Sequence, residues 1–300
     1  MALDAETTRK LADEVVLENG PYAARILPNL GSSLASLTWY GKDLVQCLPA
    51  SPVPPYLHIQ LGMFPMFPFA GRVANGSFAW KGKTYELPVH PGEEHSLHGA
   101  GWQAEWMVAE QNANRALFML DASDYPLPCE ARHDYRLTDK GLTVELGITN
   151  RAGVPLPFGL GHHPFFPRET GARVQFAARR FWMHWPDGIP TDSIALPPDL
   201  DFSSPKPMPQ GFRNNCYEGW DRNLTIDYPI SKMRVKMSAS ERLDWLMVYC
   251  NPHLQAVCFE PQTLLPSAHT TPGEGERYGL VELQPGETLS GSVTFSAQSL

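Results

Sequence analysis

The feature that most restricts this chain is a period of two, interrupted again and again by turn residues. Val15-Val16-Leu17, then Glu18-Asn19-Gly20, then the run at 22–27 read as a β-hairpin with Asn-Gly at its turn. The same grammar returns in an alternating run at 33–40 closed by Gly41-Lys42-Asp43, and in a hairpin of alternating aromatics at 76–87. It returns again at 102–110 and 115–121, and in a hairpin at 131–150 that turns on Asp139-Lys140-Gly141. Further short runs follow at 174–176, 180–185, 224–226, 233–238, 245–250 and 256–259, and a last one at 289–296. Successive side chains of a strand face opposite ways, so each run buries one face and needs a second layer to bury it against. Helical periodicity is confined to a short turn near 7–14. The class is therefore all-β, a large antiparallel sandwich. The 24 glycines and 29 prolines exceed average usage without making low complexity, as many turns require. No repeat, linker or composition break divides the chain, so one domain over 1–300 is expected.

Four stretches depart from this grammar. Phe64-Pro65-Met66-Phe67-Pro68-Phe69-Ala70-Gly71-Arg72 is expected to be ordered but not a regular strand, because its prolines remove ladder donors. Residues 52–55 read as a loop, and 90–101 as a polar loop holding His90, His95 and His98. Residues 186–219, with seven prolines up to Pro209, read as one long excursion, either a functional cover or plain surface.

Bulk chemistry narrows the partners. A net charge of −8 with no basic stripe argues against nucleic acid. No apolar run is long enough to cross a bilayer, and the polar start at 1–18 lacks the features of a signal peptide. Five scattered cysteines (Cys47, Cys129, Cys216, Cys250, Cys258) without a C-x-x-C pair read as reduced thiols, which suits the cytoplasm. Oligomeric state is left open.

The chemistry is concentrated where the strand pattern breaks. Gly159-Leu160-Gly161-His162-His163-Pro164-Phe165-Phe166 combines glycines that admit close approach with an imidazole that can exchange protons near neutral pH. Arg72, His98, His163 and Glu260 each stand at such a break. Glu260 follows the apolar run 256–259 and precedes Pro261, so it either caps a buried strand or faces a pocket as a base. Asp221 is either a turn residue or an acceptor for a ligand hydroxyl. A zinc site built from His95-x-x-His98 and His162-His163 is the rival reading, weakened because adjacent strand residues point to opposite faces. No G-x-S-x-G elbow, P-loop or dinucleotide fingerprint occurs.

Taken in order, these segments resemble the aldose 1-epimerase (galactose mutarotase) family. Phe67-Pro68-Phe69-Ala70-Gly71-Arg72-Val73 with Gly76-Ser77-Phe78 is similar to the family's arginine segment, and Leu97-His98-Gly99 with Trp106 to its His-Gly motif. Residues 156–166 are similar to the segment of the family's catalytic histidine, and Phe259-Glu260-Pro261-Gln262-Thr263 to that of its catalytic glutamate. The resemblance runs from Gly31-Ser32-Ser33 to Gln284-Pro285-Gly286. It implies a galactose mutarotase-like supersandwich and interconversion of aldose anomers by acid–base ring opening, with no cofactor or metal. Glu260 is then the base at the anomeric hydroxyl and His163 the acid at the ring oxygen. His98 joins the catalytic set, and Arg72 and Asp221 bind substrate. Trp182, Trp185 and Trp220 are candidates for a sugar platform. Gly71 stands where the family usually has Asn, and Phe165 where many members have Tyr, which leaves the sugar open. The alternatives are a non-catalytic carbohydrate-binding protein, a hexose-6-phosphate 1-epimerase using Arg72, Arg168 or Arg222, and a glycosidase with Asp221 as second carboxylate.

Overall fold

A computed structural model describes residues 5–49, 57–271 and 275–300; the loop expected at 52–55 lies outside them. Two large antiparallel sheets of 11 and 9 strands form the body, as the alternating runs require. The hairpins fall where their turn residues predict: Val15–Asn19 pairs Tyr22–Leu27, Ser77–Trp80 pairs Lys83–Glu86, and Cys129–Thr138 pairs Gly141–Asn150. The only α-helix among the described residues is the short Ala5–Lys10.

In the 11-stranded sheet the central strands are Met63–Met66, Gly161–Pro167, Ala256–Gln262 and Trp245–Cys250, in that order. One face of this group packs on the 9-stranded sheet: Phe166 meets Phe295, and His162 Nε2 lies 3.4 Å from the Gly291 carbonyl. The other face, carrying His163, Phe165 and Glu260, lines a hollow. The core between the sheets is mainly apolar, with Phe118, Phe166, Phe259 and Phe295 at most 1% exposed, and it also encloses His133 and His162. That burial, at about 25 cal/mol per Å² of apolar surface, is what holds two otherwise independent sheets together.

Several sequence expectations are corrected. Residues 63–66 do form a strand despite Pro65, which sits opposite His162. Pairing on its other side is limited to Leu34 with Met63, so the proline interrupts no continuous ladder. The excursion 186–219 contains three strands, Pro190–Ala195, Lys206–Pro207 and Arg213–Glu218; the last pairs fully with Trp245–Cys250. Its prolines sit mostly between these strands, so the count of prolines misled. The run expected to begin at Trp102 starts as a strand only at Met107, because Trp102 and Trp106 are buried in a non-repetitive segment. The loop 90–101 is not uniformly polar surface: His95 is buried and Ser96–Leu97 pairs Arg72–Val73.

Candidate functional site

Strand register brings the proposed acid and base together. Gly161 pairs with Gln262 and Phe165 with Cys258, which leaves His163 and Glu260 facing each other midway between those pairs. His163 Nε2 lies 3.2 Å from Glu260 Oε1. Two phenyl rings clamp the imidazole: Phe64, its partner on the other flanking strand, stacks at 4.4 Å and 27°, and Phe165, two residues along, at 4.6 Å and 26°. Both polar groups are almost covered, Glu260 2% and His163 6% exposed.

Burial sets their protonation. Desolvation pushes the Glu260 carboxyl well above the ordinary carboxylate range, and the Arg72 cation only partly opposes it. Desolvation also pushes His163 down to about 3, with a smaller contribution from His58. Both shifts favour the uncharged forms, a carboxyl beside an imidazole, over an ion pair.

A short ribbon presents two more of the expected residues. Arg72 pairs with Leu97, and the His98 N–H donates to the Gly71 carbonyl at 2.9 Å. The backbone at Gly71 has φ +69°, and a Cβ there would meet Pro266 at 2.9 Å. Glycine takes this left-handed conformation without cost, and asparagine is among the side chains that tolerate it best. Glycine in place of asparagine thus keeps the turn and removes an amide from the wall. The His98 ring stands perpendicular to His163 at 5.3 Å, and burial together with His163 and Arg72 pushes it well below the usual imidazole range. Arg72 reaches Glu93 at 3.7 Å.

Arg72, His98, His163 and Glu260 therefore line one hollow of about 670 Å³, counting its open mouth. Asp221 does not join them. It is exposed, its carboxylate accepts the Asn223 N–H at 3.1 Å, and it borders a different hollow with Phe176 and Ser203. It is the turn residue of the two readings, so its expected place beside the sugar is corrected. Trp182 and Trp220 are buried, with indole N–H groups satisfied by Glu218 and the Asn223 carbonyl; Trp185 is exposed.

The hollow also holds residues that sequence reasoning passed over: His58, Phe64, Trp102, Asn214, Met247 and Tyr249. Met247 and Tyr249 face it because they pair with Glu260 and Cys258. Once register is known, that parity finds them; the apolar run 245–250 alone does not.

The histidines of the rival zinc reading do not converge, and His95 lies instead with Glu94 and Asp187, their ligand atoms within 4.8 Å of one another. His162 points into the core and His163 into the hollow. His95 accepts the Asn75 N–H at Nδ1 (3.2 Å), so its Nε2 carries the proton and faces Asp187 at 3.3 Å. Cys258 lies with His163 and Glu260 so that their ligand atoms fall within 4.8 Å of one another. Burial pushes that thiol well above its usual range.

The aldose 1-epimerase family model matches residues 13–296. The chain belongs to that family. Among relatives, YphB of Escherichia coli K12, itself uncharacterized, is 29% identical over 246 residues, covering 79% of this chain and 84% of its own. A crystal structure of a candidate aldose 1-epimerase from Escherichia coli K12 superposes with a TM-score of 0.87 at 26% identity, covering 96% of this chain and 99% of that one. A galactose mutarotase-like protein from Clostridium acetobutylicum gives 0.83 at 20% identity and 95% of both chains, a likeness of fold. The supersandwich expected for an aldose 1-epimerase is the fold observed, and no helix among the described residues is long and apolar enough to cross a membrane.

Proposed function

We propose that this aldose 1-epimerase family member interconverts the α and β anomers of a neutral aldose, with Glu260 as base and His163 as acid. The observation that carries the reading is their 3.2 Å contact inside a sugar-sized hollow. The pair's single mobile proton has two positions. With the proton on Glu260 the pair is neutral and at rest. With the proton on His163 it is carboxylate and imidazolium, the form the reaction needs.

From that form the carboxylate takes the proton of the anomeric hydroxyl. The C1–O1 bond becomes a carbonyl as the C1–O5 bond breaks, and His163 delivers its proton to O5. The open-chain aldehyde leaves Glu260 protonated and His163 neutral, the state that burial already favours, so the pair is matched to the intermediate. Rotation about C1–C2 and closure on the other carbonyl face return both protons. His98 and Arg72 stand where they can donate to sugar oxygens.

Arg72 is the only cation among the described residues that line the hollow. Arg168 is committed elsewhere, donating to the Asn251 and Ala256 carbonyls and to Cys250 Sγ. A neutral sugar therefore fits better than a hexose 6-phosphate. Glu260 is the only carboxylate in the same lining, which disfavours a glycosidase, since that chemistry needs two. Glu260→Gln should slow anomer interconversion, followed by polarimetry, by roughly 10²–10⁴ while saturation-transfer NMR still detects the bound sugar. If intact protein leaves every common aldose at the buffer rate, the catalytic reading gives way to a binding one.

A further inference from the structure

We propose that the turn at 185–189 is a clamp on the wall of the hollow, and that Asp187, Gly188 and His95 are positioning residues that hold Arg72 and Asn214 where the sugar meets them. This rests on the anomer-interconverting reading above, and it gives the first turn of the excursion 186–219 a role in the site.

Arg72 is loosely held without it. Its carboxylate partner Glu93 lies 3.7 Å away, too far for a hydrogen bond, and the side chain keeps a quarter of its surface in solvent. A long side chain so placed loses rotamer freedom whenever a ligand fixes it, which weakens binding. The turn supplies the missing constraint. Gly188 is buried at φ +89°, and a Cβ on it would fall 2.8 Å from Asn214 Nδ2, 3.0 Å from Arg72 Nη1 and 3.5 Å from Arg72 Cδ. Its bare backbone therefore packs on both side chains at once, and both line the hollow. Glycine is needed there twice over, for the left-handed backbone and for the space.

The turn is tied on two sides. The Gly188 N–H donates to the Trp185 carbonyl at 2.9 Å, and the Trp185 N–H to the Ile189 carbonyl at 2.8 Å. Burial takes His184 down to about 4, so near pH 7 it is neutral, with one donor and one acceptor. Its Nδ1–H donates to the Gly188 carbonyl (3.1 Å) and its Nε2 accepts the Cys216 N–H (3.3 Å), which fastens the turn to the sheet. On the other side, Asp187 Oδ1 accepts the Ile189 N–H at 3.0 Å, and Oδ2 faces His95 Nε2 at 3.3 Å. The Ile189 N–H chiefly, then His95 and the Arg72 cation, hold the Asp187 carboxyl below its usual range. His95 is 4% exposed and fixed at its other nitrogen by the Asn75 N–H. It directly precedes Ser96, which pairs with Val73 beside Arg72. The contacts thus close a ring, from Arg72 through the ribbon to His95, across to Asp187, and through Gly188 back to the Arg72 guanidinium.

The test is mutarotation of glucose and galactose, with KM and kcat read separately, in Asp187→Ala, Asp187→Asn, Gly188→Ala and Gly286→Ala, each checked for folding by circular dichroism. Gly286 has φ +82° and open space at its Cβ, so its variant carries similar backbone strain without displacing a neighbour. Asp187→Ala and Gly188→Ala should each raise KM roughly fivefold or more while kcat stays within about twofold, the pattern of a lost binding contact. Asp187→Asn keeps an acceptor for both N–H groups and should recover most of the loss, and Gly286→Ala should match intact protein. In an Arg72→Ala background, Asp187→Ala should add clearly less than it does alone, because a side chain it positions is gone. An unchanged KM in either Asp187→Ala or Gly188→Ala overturns the clamp. So does an equal defect in Asp187→Asn or Gly286→Ala, or full additivity with Arg72→Ala. If intact protein interconverts no sugar, the catalytic reading is what has failed, and sugar dissociation constants from NMR titration then replace KM with the same outcomes for and against.

Discussion

Removing one of the two rings that sandwich His163 tests the physical basis of the site. Burial takes this imidazole from 6.5 down to about 3, which corresponds to roughly 5 kcal/mol against the imidazolium. Phe64 and Phe165 cover its two faces at 4.4 and 4.6 Å. Phe165→Ala opens one face to water. Water at that face removes part of the desolvation, so His163 should titrate measurably higher than in the intact protein. The truncation also costs roughly 3–5 kcal/mol of stability, so the measurement belongs at moderate temperature with folding checked at each pH. The assay is an NMR titration of the His163 ring proton, paired with the pH dependence of mutarotation, whose acid limb should move up with it. Phe165→Leu is the control, because it keeps an apolar cover and should leave the value low. A folded Phe165→Ala protein whose His163 still titrates below pH 4 would refute the reasoning.

Two further outcomes follow from burial elsewhere. His162 and His269 are enclosed, and desolvation lowers each to about 4, below the 6.5 of the unfolded chain. The unfolded state therefore binds more protons below pH 6.5, and stability is full above that value and lost as pH falls toward 4, by up to ~3 kcal/mol for each histidine. Urea midpoints at pH 7, 5.5 and 4.5 check this; a midpoint flat across that range contradicts it. At Gly99, which has φ +71°, a Cβ would lie 2.1 Å from the Phe67 carbonyl oxygen. Gly99→Ala should cost about 3 kcal/mol or more from overpacking and left-handed strain together. A loss under about 1 kcal/mol by denaturant unfolding would show that the neighbouring backbone yields freely.

Local grammar proved a good guide to the sheets and a poor one to the places where chain segments meet. Hairpins at Asn19-Gly20 and Asp139-Lys140-Gly141 were legible because turn chemistry and alternation are properties of a few adjacent residues. The strands hidden in 186–219 were not, since a strand between prolines is specified mainly by the partner it joins, here Trp245–Cys250. The proposed acid and base stood out through their motifs, whereas Asn214, Met247 and Tyr249 stand in unremarkable segments and face the hollow through pairing alone. Asp221 shows the converse: its local context resembled a ligand site, and the fold turned it away.

By itself, then, the sequence determined an all-β chain, the positions of its short-range turns, and which residue types could move a proton. Tertiary structure decided that His163 and Glu260, distant along the chain, face each other across adjacent strands, and that two phenyl rings keep them dry. The physical reason is that register and burial are collective. A strand's partner fixes which side chains share a face, and the surrounding layers fix whether a carboxyl there is charged or neutral; neither quantity belongs to any local stretch of residues.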